Sequence, residues 1–196
     1  MADFITTFSK INFTPLEPKI EDIKIEDIAH ALSLLCRANG HYTEFYSVGA
    51  HCLNCYDEAV ARRETPRIRM ACLLHDASEA YLSDITRPVK KNLEKYMEIE
   101  ERLQNMIYEK FVGEPLNDYE KQMVKTIDDA LLYWEFYEFS AVKLGDTEPF
   151  VAMTPDFYKG TMRQVEQAFL DTYNEIINPT EEIIVEEKLT IKWKGH

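Results

Sequence analysis

The chain has 196 residues, 45% of them hydrophobic, and a formal net charge of −13. This length suffices for one well-buried domain and would be cramped for two. The strong negative charge argues against nucleic acid or an anionic membrane as partner, because both require a basic surface. No apolar run approaches the roughly 20 residues of a membrane span and no leader-like segment opens the chain, so we expect a cytoplasmic protein.

The predicted elements are helices. Residues 1–22, which include Pro15 and Pro18, are expected to be irregular, and apolar residues then recur every three or four positions as in amphipathic helices. Thr65-Pro66 is a typical helix start. The predicted helices span about 23–38, 46–63, 66–81, 90–111, 118–143 and 157–177. The sequence therefore predicts a single all-α domain over residues 1–196, a bundle of about six main helices with its core in 23–177. The sequence does not predict a conformation for the tail, residues 178–196.

A histidine and an aspartate interrupt the apolar run MACLLHDASEAYL, at His75 and Asp76. Burying an unpaired carboxylate is costly, so such a pair indicates a nearby cation. His51 lies on the inner stripe of the second predicted helix, where a lone histidine is more often a core residue than a ligand. Asp128 lies on the apolar stripe of helix 118–143, and its alternative role is to pair with a lysine or tyrosine. Together the four form a mixed nitrogen and oxygen set that suits one divalent transition metal ion, Mn, Co, Fe or Zn.

Two further carboxylates follow the His75-Asp76 pair. Glu79 lies one helical turn after His75, and Asp84 comes just past the predicted helix end. Both are candidates for general acid and base, one handling the nucleophilic water and the other the leaving oxygen. The alternative is that they are solvated at a helix C-terminus, although a carboxylate there opposes the helix dipole.

The four cysteines are Cys36, Cys52, Cys55 and Cys72, and all lie in sequence that is expected to be helical. We expect them to be reduced. Cys52 and Cys55 have a spacing found in zinc sites, but no second such pair exists. We favour the interpretation that Cys52 and Cys55 are simply two small residues on one helix face.

The segment HDASEAYLSDITRPVKK, with His51 upstream and Asp128 downstream, resembles the HD-domain metal-dependent phosphohydrolases. Within them it is similar to the single-domain group of bacterial 5′-deoxynucleotidases and phage-type nucleotide phosphohydrolases, over residues 10–140. The resemblance implies that His51, His75, Asp76 and Asp128 are metal ligands and that Glu79 and Asp84 are the catalytic acidic pair. It also implies that Arg37 contacts phosphate and sugar. Ala38 stands where that family has a tryptophan, which argues against deoxyribose selectivity.

Other side chains are weaker candidates for substrate contacts. Arg37 could clamp a phosphate with two hydrogen bonds. His41 could contact phosphate or base, with loop capping as the alternative. Arg87 and Lys90 could line the pocket mouth, with a solvated position as the alternative. Tyr46 and Tyr81 could stack on a base, although core packing is favoured, and His30 is interpreted as structural.

The predicted function is a metal-dependent phosphohydrolase that releases phosphate from (deoxy)nucleoside 5′-monophosphates. One alternative is a (deoxy)nucleoside triphosphate triphosphohydrolase with the same metal site. A second, from another class, is a non-catalytic, metal-stabilised helical interaction module. The expected partner is a small nucleotide, with neither nucleic acid nor membrane, and the chain could form a homodimer through the helix at 90–111.

Overall fold

The computed structural model describes residues 3–179. Its main elements are eight α-helices: α1 (Ile25–Leu34), α2 (Val48–Ala61), α3 (Pro66–Leu74), α4 (Glu79–Leu82), α5 (Arg87–Lys90), α6 (Glu94–Val112), α7 (Asp118–Ser140) and α8 (Met162–Ile177). The predicted all-α class is confirmed. Residues 180–196 of the predicted tail lie outside the described residues.

The N-terminal segment is more ordered than the sequence predicted. Strands β1 (Ile5–Thr6) and β2 (Asn12–Phe13) pair antiparallel, and a 3-10 turn covers Ile20–Asp22. Phe13 is fully buried and stacks on Tyr81 with ring centroids 4.1 Å apart. Most of residues 3–22 is irregular as predicted, but the two strands and the buried Phe13 were not predicted, because two-residue strands are too short to produce a visible periodicity.

Two predicted helices end several residues earlier than expected, and the last one begins at Met162 instead of at about residue 157. The helix predicted to reach residue 38 ends at Leu34, and Ala38 and Asn39 then take positive φ values of 52° and 51°. The helix predicted to reach residue 81 ends at Leu74, and α4 begins only at Glu79. Each break comes beside a predicted site residue, Arg37 in the first case and His75 in the second.

Helix α2 lies at the centre of the bundle and packs against α1, α3, α7 and α8. Gly49 permits its close approach to α1, since a Cβ at this position would lie 3.2 Å from the Leu32 carbonyl carbon and oxygen. Ser47 begins the helix with a side chain that accepts a hydrogen bond from the amide of Ala50. Because α2 carries His51, this packing fixes the position of that imidazole.

The long connection from α7 to α8 is fastened to α2 by two buried polar side chains. The carboxylate of Glu58 accepts hydrogen bonds from the amides of Ala152, at 2.7 Å, and Met153, at 3.1 Å. The Asn54 amide donates to the carbonyl of Asp156 at 2.9 Å. No helix within residues 3–179 has the length and hydropathy needed to cross a bilayer.

Candidate metal centre

The four predicted ligands meet at one point although they come from three parts of the chain. His51 Nε2 lies 3.1 Å from His75 Nε2 and 3.2 Å from Asp128 Oδ1. His75 Nε2 lies 3.3 Å from Asp76 Oδ2 and 3.8 Å from Asp128 Oδ1. Donors about 2.1 Å from a single ion, at tetrahedral to octahedral angles, are about 3.0–3.5 Å apart. The four side chains therefore fit one divalent ion with little movement.

The end of α3 at Leu74 orients one of the two imidazoles. Because the helix does not continue, the carbonyl of Cys72 is available to His75 Nδ1, which lies 2.8 Å away. This contact leaves Nε2 directed at the other donors. A main-chain carbonyl bonded to the outer nitrogen is a common support for a metal-binding histidine.

Glu135 orients the second imidazole, and sequence reasoning missed it. Its carboxylate is fully buried, and one oxygen bonds to His51 Nδ1 while the other accepts from Arg37 Nε at 3.0 Å. Burial opposes its charge, but Arg37 and His51 outweigh burial and lower the pKa of Glu135. A signal existed, since Glu135 lies seven residues after Asp128 and hence on the same helix face.

The charges of the cluster favour a cation. Burial opposes the ionised form of Asp128, yet hydrogen bonds from His51 and His75 hold its pKa well below the usual value, and His75 also lowers the pKa of Asp76. Burial alone would lower the pKa of both imidazoles, but neighbouring carboxylates raise it. The raised pKa values mean that protons on the imidazoles offset the carboxylate charges in the metal-free cluster, and a divalent ion that displaced those protons would supply the matching charge.

Two cysteines lie close enough to offer a different donor set. Cys55 Sγ is 3.5 Å from His51 Nε2, and potential ligand atoms of His51, Cys55 and His75, or of Cys52, His75 and Asp76, lie within 4.8 Å of one another. Both thiols are buried, and burial raises the pKa of each. Asp76 and Asp128, in contrast, line an open pocket. We therefore favour the nitrogen and oxygen set, because it places the ion where a substrate can reach it.

A pocket of about 1030 Å³ opens over the cluster. It is lined by Asp76 and Asp128, by both predicted catalytic carboxylates and by every predicted substrate-binding residue. These last two groups are Glu79, Asp84, Arg37, His41, Arg87 and Lys90. The structure therefore places all the predicted site residues around one space, except that His51 and His75 lie beneath it and do not line it.

The two candidate catalytic carboxylates differ in their surroundings. Glu79 is 5% exposed, and its Oε2 has no hydrogen-bond partner among the described residues. Burial, together with the charges of Asp76 and Asp84, raises its pKa well above the usual value. Lys90 Nζ lies 3.7 Å from Glu79 Oε1 and 2.7 Å from Glu100. Asp84 is half-buried, and burial raises its pKa as well.

The arginines already hold carboxylates of the site. Arg37 donates from Nη1 to Asp76 Oδ2 at 3.3 Å in addition to its bond with Glu135. Burial would lower its pKa, but these acidic neighbours raise it. Arg87 donates to Asp128 Oδ2 and to Asp129 Oδ1, each at 2.6 Å. A phosphate entering the pocket would thus meet guanidinium groups that are already in position.

The weaker aromatic and histidine candidates lie away from the pocket. Tyr46 is buried and its hydroxyl accepts from Asn54 at 2.8 Å, while the Tyr81 hydroxyl accepts from the amide of Lys24 at 3.3 Å. His30 stacks on Phe8 and bonds to Glu166. All three have structural contacts, in line with the favoured interpretations.

The fold and the site define an all-α protein with a candidate metal centre at the floor of a pocket. No family model matches the chain. Over 108 residues the chain is 39% identical to YfdR, an uncharacterized protein of Escherichia coli (strain K12). The aligned residues make up 55% of this chain and 58% of that protein. Over 102 residues it is 42% identical to an uncharacterized protein of Rhodobacter capsulatus. The aligned residues make up 49% of this chain and 52% of that protein. The chain thus spans little more than half the length of these curated relatives.

Proposed function

We propose that the protein is a metal-dependent phosphohydrolase that releases phosphate from nucleoside 5′-monophosphates. One observation carries the proposal: nitrogen and oxygen donors converge beneath a pocket that also presents arginine and lysine side chains and the carboxyl groups of Glu79 and Asp84. Arg37, Arg87 and Lys90 already pair with carboxylates, so an anionic ligand at this place would depend on the positive charge of a bound divalent ion in addition to these side chains. The resemblance to HD-domain phosphohydrolases supports the same activity.

A bound Mn, Co, Fe or Zn ion would supply Lewis acidity and lower the pKa of a water molecule. His51, His75, Asp76 and Asp128 would hold that ion. Arg37 and Arg87 would bind non-bridging phosphate oxygens and offset the charge that develops on them. Asp84 would accept the proton of the attacking water.

Glu79 would donate its proton to the leaving oxygen. Burial and the charges of Asp76 and Asp84 raise its pKa well above the usual value, which favours the protonated form that an acid requires. Protonation of the leaving group by such a carboxyl contributes about 10²- to 10⁴-fold to rate.

Triphosphate hydrolysis at the same metal site is the second candidate. Arg87 and Lys90, both on the short helix α5, extend the cationic lining beyond Arg37, and the pocket volume is at the upper end of the usual range for small ligands. A purely structural metal site, in contrast, would be closed by four ligands and would need neither pocket nor extra carboxylates. The non-catalytic interaction module is therefore the least favoured.

Reduced cysteines and a nucleotide substrate support a cytoplasmic location, and all four cysteines are free thiols. A homodimer and the absence of nucleic-acid and membrane partners stay predictions.

The test is a phosphate-release screen. Chelator-treated protein is reloaded with Mn, Co, Zn or Mg and assayed on nucleoside mono-, di- and triphosphates, with inorganic phosphate and triphosphate identified separately. We expect phosphate from the monophosphates. No release from any nucleotide with any of these ions would overturn the proposal.

Matched variants separate the roles of the acidic residues. Asp128→Asn should lose both metal and activity, while Asp129→Asn should keep its metal content, because Asp129 bonds Arg87 and Lys125 instead of joining the donor cluster. Glu79→Gln should keep the metal and lose about 10²-fold or more in turnover. Full activity in Glu79→Gln would refute its role as the acid.

A further inference from the structure

The pocket extends along α7 well beyond the candidate metal centre. The α7 residues that line it recur every one to four positions along one face: Asp128, Asp129, Leu132, Tyr133, Phe136 and Ser140. With a rise of 1.5 Å per residue, Tyr133 lies about 7.5 Å and Phe136 about 12 Å along the helix axis from Asp128. A ligand held at the metal centre by its phosphate could therefore reach these residues with the rest of its structure.

The far end of the pocket has a different character from the metal end. Leu132 and Phe136 form its α7 side, and Leu144 and Pro149 close it from the connection that follows α7. The lining residues from 132 onward carry no formal charge. Trp134 Nε1 donates to the Pro149 carbonyl at 3.2 Å, which holds that side of the wall in place.

An aromatic face and a buried hydroxyl stand at this uncharged end. Phe136 is half-buried, and Tyr42 meets it edge to face with ring centroids 5.4 Å apart, which fixes the plane of the Phe136 ring. Tyr133 is 5% exposed, and its hydroxyl has no hydrogen-bond partner among the described residues. A buried hydroxyl without a partner is unfavourable, so a ligand group that bonds to it gains more than an equivalent group would in water.

We infer that this uncharged end is a nucleobase subsite, in which the base packs on Phe136 and hydrogen-bonds to the Tyr133 hydroxyl. The inference rests on the proposed function and specifies its substrate class. A base offers an aromatic face together with ring or carbonyl acceptors, whereas a sugar phosphate without a base has no aromatic face to pack on Phe136. The subsite therefore selects nucleoside 5′-monophosphates over base-free phosphomonoesters.

The experiment compares two substrates in one enzyme. The kcat/KM of the metal-loaded protein is measured on its best nucleoside 5′-monophosphate and on ribose 5-phosphate, in the wild type and in Tyr133→Phe, Phe136→Leu and Tyr137→Phe. Tyr137 is the matched control, because it neighbours Phe136 in sequence but is 47% exposed and does not line the pocket.

We expect the wild type to prefer the nucleotide. Tyr133→Phe and Phe136→Leu should each reduce that preference about three- to tenfold, mainly through KM, with ribose 5-phosphate turnover unchanged. Tyr137→Phe should match the wild type. Unchanged turnover of ribose 5-phosphate also shows that each variant is folded.

Two results would overturn the inference while leaving the phosphohydrolase activity standing. One is a wild type that cleaves ribose 5-phosphate as well as any nucleotide, and the other is an unchanged preference in Phe136→Leu. An unchanged preference in Tyr133→Phe alone would remove the hydrogen bond from the proposal. If the wild type released phosphate from neither substrate, the proposed function itself would fail, and the subsite with it.

Discussion

His51 Nδ1 and a carboxylate oxygen of Glu135 share a hydrogen bond inside the protein, where neither side chain is exposed. This bond directs His51 Nε2 toward His75 and Asp128. Groups that hold the outer nitrogen of a metal-binding histidine fix its ring and strengthen it as a ligand.

Glu135→Gln should therefore weaken metal binding about 10- to 100-fold, because a neutral amide holds the imidazole less firmly. Equilibrium titration of the chelator-treated protein with Co²⁺ or Mn²⁺ measures the change. Glu138→Gln is the matched control, since Glu138 lies on the same helix but is exposed. An unaltered metal affinity in Glu135→Gln would mean that Glu135 does not support the metal centre and that its role is limited to the bond with Arg37.

Removing the neighbouring thiols should leave the metal in place. Cys52→Ser and Cys55→Ser, singly and together, are expected to bind Co²⁺ with wild-type affinity, because the preferred donors are the two imidazoles and two carboxylates. The absorption spectrum of the Co²⁺ protein is the measurement, and it should contain no thiolate-to-cobalt charge-transfer band. Such a band in the wild type that disappears in one variant would make that cysteine a ligand.

Lys90 should set the pH at which Glu79 titrates. Its ammonium lies 3.7 Å from Glu79 Oε1 and lowers the pKa of that carboxyl, against the raising effects of burial and of Asp76 and Asp84. Lys90→Met removes the positive charge, so the pKa of Glu79 should rise further. If Glu79 acts as the acid, the alkaline limb of the pH profile of kcat/KM should move up by about one pH unit. Lys91→Met, at an exposed neighbour, should leave the profile unchanged, and an unmoved limb in Lys90→Met would assign that limb to another group.

The N-terminus of α7 offers a stability test remote from the site. Arg67 Nε donates to Glu120 at 2.6 Å, and the amide of Asn117 donates to the same carboxylate at 2.9 Å. The hydrogen bond from Arg67 is the main reason that the pKa of Glu120 lies below its usual 4.5, and the bond from Asn117 lowers it further. A lowered pKa in the folded state means that the stabilisation is fully present above about pH 4.5 and is lost as the pH falls through the folded-state pKa.

Glu120→Gln should accordingly reduce the free energy of unfolding by about 1–2 kcal/mol at pH 7. The difference from the wild type should shrink below pH 4.5, as followed by urea denaturation across the range. Glu101→Gln, at an exposed position of α6, is the control. An equal loss at pH 7 and well below the folded-state pKa would mean that the carboxylate charge is not responsible.

The sequence was most informative where a polar residue interrupts an apolar stripe. His51, His75, Asp76 and Asp128 stand out for that reason, and the structure brings the four together. Glu135 interrupts such a stripe too, but the aromatic residues around it in LLYWEFYEF made the segment typical of plain core. Its partner His51 lies on another helix, and pairing between helices depends on packing that periodicity does not describe.

The helix ends near the site were harder to predict than the helices themselves. The turn signal Asn39-Gly40 comes only five residues after Leu34 and no strong helix breaker follows Leu74 directly, so apolar periodicity continues past both observed helix ends. Tertiary contacts decide these ends, such as the bonds of Arg37 to Glu135 and Asp76. The pairing of Arg87 with Asp128 depends in the same way on how α5 lies against α7.

Helix α2 carries His51, a proposed metal ligand, near its start, and its Asn54 and Glu58 side chains bond the chain beyond the pocket wall. The position of His51 and the position of this part of the chain thus both depend on α2. A tilt of α2 would displace His51 and the segment after Pro149 together, so the proposed metal centre and the enclosure of the pocket would change at the same time. Residues 141–149 lie between the end of α7 and the first of these bonds, and insertions or replacements there would reshape the pocket without displacing the proposed metal ligands.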